Sequence, residues 1–483
     1  MTALPSRILV PIIVACALFM ENLDATVLAT SLPAIARDMG EDPIALKLAL
    51  TSYLLSLAVF IPVSGWVADR FGAKRVFRLA LAIFMLGSVF CGFASNLTDF
   101  VLARIVQGLG GAMMVPVGRL VILRSVPKSE LVAALAWFTI PAVVGPIAGP
   151  PVGGFITTYF SWRWIFYINI PIGLLGIILV TRYIEDIREE SPPPLDAVGL
   201  VLLGAGLSGL VFGLAAVGQG LVPFWVAWGM IVAGGIFCWL YARHATRTPH
   251  PLLDLNLVRI ATFRASVVGG ALFRIGAGAT AFLLPLLFQV GFGLTAFASG
   301  MLTFVAAIGA FLMKFTAPPI LRRFGFRTVL IANALLSSAF VCGLGLFTAA
   351  TPHAVIVGIL LVAGYFRSLQ FSAVNTLVYA DIAPPAMSQA TSFASAAHQL
   401  SLSLGVAVAA LTLEAEQIVR GNSAILVSDF VTAFLVVGLI GAMSALVFWR
   451  LPGNAGAELT GKVDESAGTT DPASTARPSG AAS

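Results

Sequence analysis

VADRFGAKRV (67–76) and LRRFGFRTVL (321–330) are two copies of one short turn, and each follows a long apolar run. The shared Arg-Phe-Gly begins at Arg70 in the first copy and at Arg323 in the second. Basic residues flank the glycine in both copies. The recurrence of such a turn predicts a chain of two related halves, the duplicated design found in many transporters.

The composition around these turns is that of a membrane protein. Apolar residues make up 59% of the chain and charged residues 10%, against roughly 25% charged residues in a soluble domain. Apolar runs of about 20 residues, long enough to cross a bilayer as helices, recur from end to end. The sequence therefore predicts an all-α integral membrane protein with fourteen spans: 8–32, 46–69, 75–95, 99–124, 130–160, 164–183, 197–218, 222–243, 263–290, 295–321, 328–349, 353–380, 388–414 and 428–450.

The loops differ in charge on the two sides of the predicted membrane. Basic residues cluster in the loops on the side of the repeated turn, whereas the opposite side carries Arg37, Lys47, Arg163 and Arg420. By the positive-inside rule, both termini are expected in the cytoplasm. The net charge of +6 is therefore a topology signal and does not indicate nucleic-acid binding, because no single face collects it.

The repeat and the composition divide the chain into four parts. Two six-helix bundles are predicted over 1–190 and 251–450, and a two-helix transmembrane insert over 191–250. The insert follows the Pro-rich stretch EESPPPLDAVG and is expected to lie between the bundles and face lipid. The small, polar residues of 451–483 predict a disordered cytoplasmic tail.

The stretch FMENLDATVL (19–28) places Glu21 and Asp24 inside an apolar span. Residues three apart share one helical face, and two carboxylates cannot face lipid without great cost. They are expected to line a polar cavity and to be the two carboxylates that lie deep in any span. Arg104, at a comparable depth in the fourth span, is the predicted partner of Asp24.

Five stretches together carry a family resemblance. GWVADRFGAKR (65–75) and RIVQGLGGA (104–112) resemble loop and fourth-helix signatures of the major facilitator superfamily. GPIAGPPVGG (145–154) resembles the antiporter signature of its exporters. LDATVLATSLPAI (23–35) and WRWIFYINIPIG (162–173) are similar to signatures of its fourteen-helix drug:proton antiporter branch, whose bacterial multidrug-resistance members the chain resembles.

The resemblance implies the major facilitator fold, with a cavity lined by the first, fourth, seventh and tenth bundle helices. Glu21, Asp24 and Arg104 lie on the first and fourth and are the predicted proton-coupling residues. Arg274 and Arg367 lie near the midplane of the seventh and tenth and could bind ligand or latch onto Glu21. The other predicted cavity residues are Gln289, Met20, Tyr53, Phe273, Phe366 and Gln370.

Two further charged residues inside spans, Lys314 and Arg119, lie nearer the cytoplasmic ends. Their long side chains are expected to reach the interface, where the charge is hydrated. They are therefore assigned structural roles.

The first copy of the repeated turn predicts a conformational switch. Asp69 stands among cations across a tight bend, an arrangement that could clamp helix ends and release them as the halves rock. The alternative is a loop that serves topology only. The switch comprises Gly65, Asp69, Arg70, Gly72, Lys74 and Arg75.

The antiporter signature places small residues four apart on one helix face, which lets another helix approach closely, while its prolines bend the helix. Ordinary small-residue packing without transport meaning is the alternative. The predicted motif residues are Gly145, Pro146, Gly149, Pro150, Gly153 and Gly154.

The leading hypothesis is a proton-coupled antiporter of the bacterial inner membrane that exports small amphipathic molecules as a monomer. The alternative is a proton-coupled uptake symporter for an anionic or zwitterionic metabolite. An enzyme is disfavoured because metal-ligand spacing is absent from the sequence. No phosphate-binding loop of the G-x-x-x-x-G-K-[ST] type occurs, so coupling to an ion gradient is expected and no cofactor is predicted.

Overall fold

The structure is a computed structural model that describes residues 6–125, 144–145, 148–185, 194–216, 223–383, 386–421 and 424–456. Among these residues, thirteen helices have the length and hydropathy needed to cross a membrane. A further helix, at the position of the predicted fifth span, is described over 148–159. Pro146 and most of the predicted tail, from residue 457 onward, lie outside the described residues.

The helices are numbered here in chain order. The first eight are α1 (Ser6–Met39), α2 (Lys47–Phe71), α3 (Ala73–Phe93), α4 (Leu97–Ser125), α5 (148–159), α6 (Trp164–Tyr183), α7 (Ala197–Ala216) and α8 (Phe224–Ala245). The last six are α9 (Ala261–Gly291), α10 (Ala296–Phe324), α11 (Phe326–Leu344), α12 (His353–Leu377), α13 (Met387–Arg420) and α14 (Val427–Trp449). A 3₁₀ turn at Leu255–Arg259 precedes α9.

The repeated turn has the same backbone construction in both copies. Gly72 separates α2 from α3 with φ 93°, and Gly325 separates α10 from α11 with φ 76°. A side chain is strained at such positive φ values, so glycine is the residue that allows one helix to stop and the next to begin at once. We call the end of the protein that carries both turns the turn end, and the other the opposite end.

Helices α1–α6 form an N-terminal group, and α9–α14 form a C-terminal group. Within the first group α4 packs against α2 and α3, and within the second α12 packs against α10 and α13 packs against α9. The groups meet where α1 contacts α9 and α10 and where α2 runs along α13. Whether each group is a separate domain stays a prediction.

The two helices of the insert lie along the boundary between the two helix groups. Its first helix, α7, packs against both α2 and α13, where Leu203 and Leu207 join Val59 in one apolar cluster. The second helix, α8, packs on α7 and is mostly exposed. The insert therefore covers the seam between the two groups, and its outer helix presents more exposed apolar surface than its inner helix; the lipid-facing role of the pair stays a prediction.

Asp196 ties the start of the insert to the chain that leaves it. Its carboxylate contacts His244 Nε2 at 2.7 Å and accepts hydrogen bonds from the backbone N–H groups of Gly199 at 2.7 Å and Leu252 at 3.1 Å. Burial by itself raises the pKa of Asp196, but these partners outweigh burial and leave the pKa below its ordinary value. The insert is thus anchored at the turn end.

Candidate functional site

Asp24 lies at the centre of a buried polar network within the N-terminal group. Arg104 Nη1 donates to Asp24 Oδ2 at 2.6 Å, and both side chains are excluded from solvent. Gln107 Nε2 and Asn169 Nδ2 donate to the other carboxylate oxygen at 2.8 and 3.0 Å. The contact predicted between Asp24 and Arg104 is therefore present, and two amides that the sequence analysis missed complete it.

Further contacts fix the Arg104 guanidinium. Its Nε donates to the Ala49 carbonyl at 3.3 Å, and its Cζ lies 4.1 Å from the centre of the Tyr53 ring. Its Nη1 also donates to Gln107 Oε1 at 2.5 Å. Gln107 stands one helical turn after Arg104 on α4, a spacing that could have identified it from the sequence.

Glu21 is buried one turn from Asp24 but has a different environment. Its Oε2 atom has no hydrogen-bond partner, and within the described residues Glu21 forms no ion pair. Arg274, its proposed latch, instead donates from Nη2 to Asn375 Oδ1 at 2.9 Å and lies 6.0 Å from the Phe371 ring. The latch is not formed in this conformation.

A cavity of about 480 Å³ lies between the two helix groups. Helices α1, α9, α10, α12 and α13 and residue Pro150 of α5 form its walls. The lining is mostly small and apolar, with Phe311 and Phe371 as its aromatic members. Among the described residues that line the cavity, the charged ones are Arg367 and Lys314, and none is acidic.

Arg367 is the predicted cavity residue that this cavity contains. Lys314, assigned a structural role from the sequence, also lines it, although it lies in the half of α10 nearer the turn end. The sequence does not fix the rotation of a helix about its axis. A given position on a lining helix can therefore face the cavity or a neighbouring helix. The other predicted cavity residues lie outside the described walls: Arg274, Gln289, Met20, Tyr53, Phe273, Phe366 and Gln370.

Two polar residues that were predicted to line the cavity, Gln289 and Gln370, form hydrogen bonds elsewhere. Gln289 Nε2 donates to the Thr30 carbonyl at 2.8 Å, which joins α9 to α1. Gln370 accepts a hydrogen bond from Asn333 Nδ2 at 2.9 Å inside the C-terminal group. Both side chains therefore hold helices together in this conformation.

A buried ion pair joins the helix groups at the opposite end. Lys47 at the start of α2 pairs with Glu414 on α13, and both side chains are almost fully buried. The expectation that Glu21 and Asp24 are the carboxylates deep in the spans was therefore wrong, because Glu414 is also buried inside the protein. Helix α13 continues to Arg420, which puts Glu414 inside the protein and not at a span end.

The antiporter signature closes the same end by tight helix packing. Gly149 faces Thr26 on α1, and Gly154 packs so closely on α10 that an added Cβ would lie 2.5 Å from the Ala296 carbonyl oxygen. Thr158 Oγ1 accepts a hydrogen bond from the Phe297 N–H at 3.0 Å. The cavity is therefore sealed from the opposite end in this conformation.

The switch residues of the first turn lie at the turn end, away from the cavity walls. Asp69 and Arg75 each have a polar or electrostatic partner, whereas the Arg70 side chain is exposed. An added Cβ at Gly65 would meet no atom within 4 Å. Gly65 is therefore not required for close packing here, and the switching role of the turn stays a prediction.

Comparisons with known proteins agree with this architecture. A family model described as Major Facilitator Superfamily matches residues 14–406. The putative multidrug resistance protein MdtD of Klebsiella pneumoniae subsp. pneumoniae is 38% identical over 94% of this chain and 97% of its own. The protein of the same name from Escherichia coli strain K12 is 36% identical over 91% and 94% of the two chains.

Solved structures show the same fold at low identity. The D-xylose-proton symporter superposes with a TM-score of 0.67 at 16% identity, covering 93% of this chain and 98% of its own. The POT family transporter PepTSo gives 0.67 at 17% identity, covering 94% and 99%. The chain belongs to the major facilitator superfamily.

Proposed function

We propose that this protein is a proton-coupled antiporter that exports small amphipathic molecules by alternating access. The observation that carries the proposal is a buried carboxylate–guanidinium site, Asp24 with Arg104, next to a mostly apolar cavity sealed at one end. The first site suits proton exchange and the second suits binding of a small molecule. The names of the related proteins, putative multidrug resistance proteins, support multidrug export.

Asp24 and Glu21 are proposed to carry the protons. Protonation of Asp24 removes the charge that holds Arg104 at 2.6 Å and turns one acceptor oxygen into a donor, so the amides of Gln107 and Asn169 must rearrange. Glu21 has no ion-pair partner among the described residues, and an ionised carboxylate is costly to bury unpaired. Proton binding at this pair therefore changes the packing of α1 against α4 and α6.

The charge distribution of the loops supports the orientation. The turn end carries Arg70, Lys74, Arg322, Arg323 and Arg327, and the positive-inside rule places such an end in the cytoplasm. The sealed opposite end then faces outward, as in a transporter waiting for cargo from the cytoplasm. The bacterial inner membrane is the proposed location.

Export requires the opposite end to open. The Lys47–Glu414 pair and the contacts of Gly154 with α10 must then separate, while the turn end closes. Asp69 and its basic neighbours are proposed to stabilise that second state. Asp69→Asn is expected to slow turnover and leave substrate affinity unchanged.

The test is proton-driven transport by the purified protein in liposomes. Asp24→Asn and Glu21→Gln should each abolish or strongly reduce substrate movement driven by a pH gradient, while exchange of labelled for unlabelled substrate without a gradient continues. Asp38→Asn, which removes an exposed acid near the end of the same helix, is the control and should transport normally. Coupled transport that survives in both buried variants would refute the assignment.

The direction of flux separates the exporter from the uptake symporter. In inverted vesicles with an acidic interior, an antiporter accumulates substrate as protons leave. A symporter in the same vesicles moves substrate out together with the protons. Accumulation therefore supports the export proposal, and depletion supports the alternative.

A further inference from the structure

We infer that the wall formed by α10 and α12 binds the anionic group of the transported molecule, a carboxylate, sulfonate or phosphate, through Arg367 and Lys314. This inference rests on the proposed export function, since it assigns a charge to the cargo. It gives Lys314 a role in substrate specificity.

The two cations belong to one wall of the cavity. Lys314 Nζ on α10 donates to Ser372 Oγ on α12 at 3.3 Å. Ser368, one turn before Ser372 and next to Arg367, donates from Oγ to the Ala310 carbonyl of α10 at 3.1 Å. The hydroxyls therefore join two successive turns of α10 and α12, and both cationic side chains border the same space.

Lys314 lies well before the terminus of α10 at the turn end. It stands ten residues before the end of α10 at Phe324, which corresponds to about 15 Å along a helix axis. Its ammonium group points at Ser372 and the cavity instead. The hydrogen bond to Ser372 therefore holds the Lys314 charge beside the cavity.

These charges have no acid to balance them in the walls. None of the described lining residues is Asp or Glu, and no described ion pair includes Arg367 or Lys314. A cation deep in a membrane costs about 2.5–3.5 kcal/mol on insertion scales. An anionic cargo would supply the missing charge, and the planar guanidinium of Arg367 suits a carboxylate or sulfonate in particular.

The remainder of the cavity selects for an apolar body. Phe311 and Phe371 flank the cationic wall, and Leu284, Leu402 and several alanines cover the other sides. A volume of about 480 Å³ is within the usual range for sites that bind small molecules. The expected cargo is an aromatic or aliphatic anion, and a cation of the same shape should bind more weakly.

Two probes of nearly equal shape and opposite charge test the inference: 1-naphthoate and 1-naphthylmethylammonium. Their binding is measured by calorimetry on the purified protein in detergent, without a proton gradient. Wild-type protein should prefer naphthoate. Arg367→Gln and Lys314→Gln should each weaken naphthoate binding roughly tenfold, as expected for loss of a close charge contact, while binding of the ammonium probe stays equal or tightens.

Arg274→Gln is the matched control for loss of a buried positive charge, because its guanidinium contacts Asn375 outside the described walls. Arg274→Gln should bind naphthoate like the wild type. Arg367→Lys keeps the positive charge and should keep part of the affinity; such a result would show that the wall still folds in a position-367 variant. The inference is overturned if wild-type protein does not bind naphthoate or prefers the ammonium probe. It is also overturned if Arg274→Gln loses as much affinity as the two wall variants.

The binding assay and the transport assay test the two proposals separately, so that either proposal can be refuted while the other stands. Selective naphthoate binding together with intact coupling in Asp24→Asn and Glu21→Gln would refute the proton assignment and keep the anion site. Lost coupling in those variants with naphthoate affinity insensitive to Arg367 and Lys314 would do the reverse.

Discussion

Two buried ion pairs among the described residues differ in what they connect. Asp24 and Arg104 lie in one helix group and share Gln107 and Asn169 as further partners. Lys47 and Glu414 come from different groups and seal one end of the cavity. The first pair can persist while the groups rock as rigid bodies, whereas the second must break whenever the sealed end opens.

This difference separates stability from conformational balance. Removing one member of a pair inside a group leaves a charge buried in every state of the transporter. Removing one member of the pair between groups penalises only the state in which both residues are buried together. Loss of one residue of the Asp24–Arg104 pair should therefore lower stability, whereas loss of one residue of the Lys47–Glu414 pair should change the balance between conformations. The following variants test that expectation.

The largest effect on stability is expected from Arg104→Gln. The change leaves Asp24 without its cation in a fully buried site, and breaking such a pair typically costs about 3–5 kcal/mol. Thermal unfolding of the detergent-purified protein should show a clearly lower Tm. Arg163→Gln, which breaks a partly exposed pair with Asp38, is the control and should cost about 0–1 kcal/mol. Equal decreases in stability for the two variants would show that burial does not make the Asp24–Arg104 pair more stabilising than the exposed pair.

Glu414→Gln should act on the conformational balance more than on folding. A loss of about 3 kcal/mol that is confined to the sealed state would change the ratio of sealed to open protein roughly 100-fold. Spin labels at Ser95→Cys and Val419→Cys, both exposed near the opposite end, report the opening as a longer distance in electron-resonance measurements. The label pair is placed in a background without the native cysteines.

The charge-swapped protein Lys47→Glu/Glu414→Lys is the control for this result. It restores an ion pair of the same size in the same place, so the distance distribution should return toward that of the wild type. A distribution that stays open in the swapped protein, or one that does not change in Glu414→Gln, would show that the pair does not hold the end closed.

Gly154→Ala should have the smallest of the three effects. The new methyl group would lie 2.5 Å from the Ala296 carbonyl oxygen and 2.8 Å from Phe297 Cα, both of which are backbone atoms of α10. Overpacking of this kind costs about 1–3 kcal/mol, so the same spin labels should show a modest shift toward opening. Gly235→Ala on α8 meets nothing within 4 Å and is the control that should not change the distance.

The sequence predicted the parts of the fold that depend on the bilayer. The apolar runs had to be helices because a chain in lipid must satisfy its own backbone hydrogen bonds. The two Arg-Phe-Gly turns predicted the duplication, and both adopt the same glycine conformation. Asp24 and Arg104 could be paired in advance because a buried charge needs a partner at its own depth, and few residues offered one.

Tertiary packing decided which side of each helix faces the cavity. Arg274 and Arg367 lie at similar depths in the sequence, yet Arg367 borders the cavity while Arg274 turns to Asn375. Hydropathy fixes depth along a helix but not rotation about its axis, which depends on the side chains of neighbouring helices. The same uncertainty hid Lys314, whose position in the cavity follows from the packing of α10 against α12.

The pair that closes the cavity was also decided by tertiary structure. In sequence, Lys47 and Glu414 stand near opposite ends of the chain and at the borders of their predicted spans, where a charge can be hydrated and needs no partner. Burial arises because α2 and α13 come together from the two helix groups. The sequence by itself therefore determined the membrane helices, their duplication and the charge site inside one group. The contacts between the groups required the folded structure, because they depend on how the surfaces of the two groups meet.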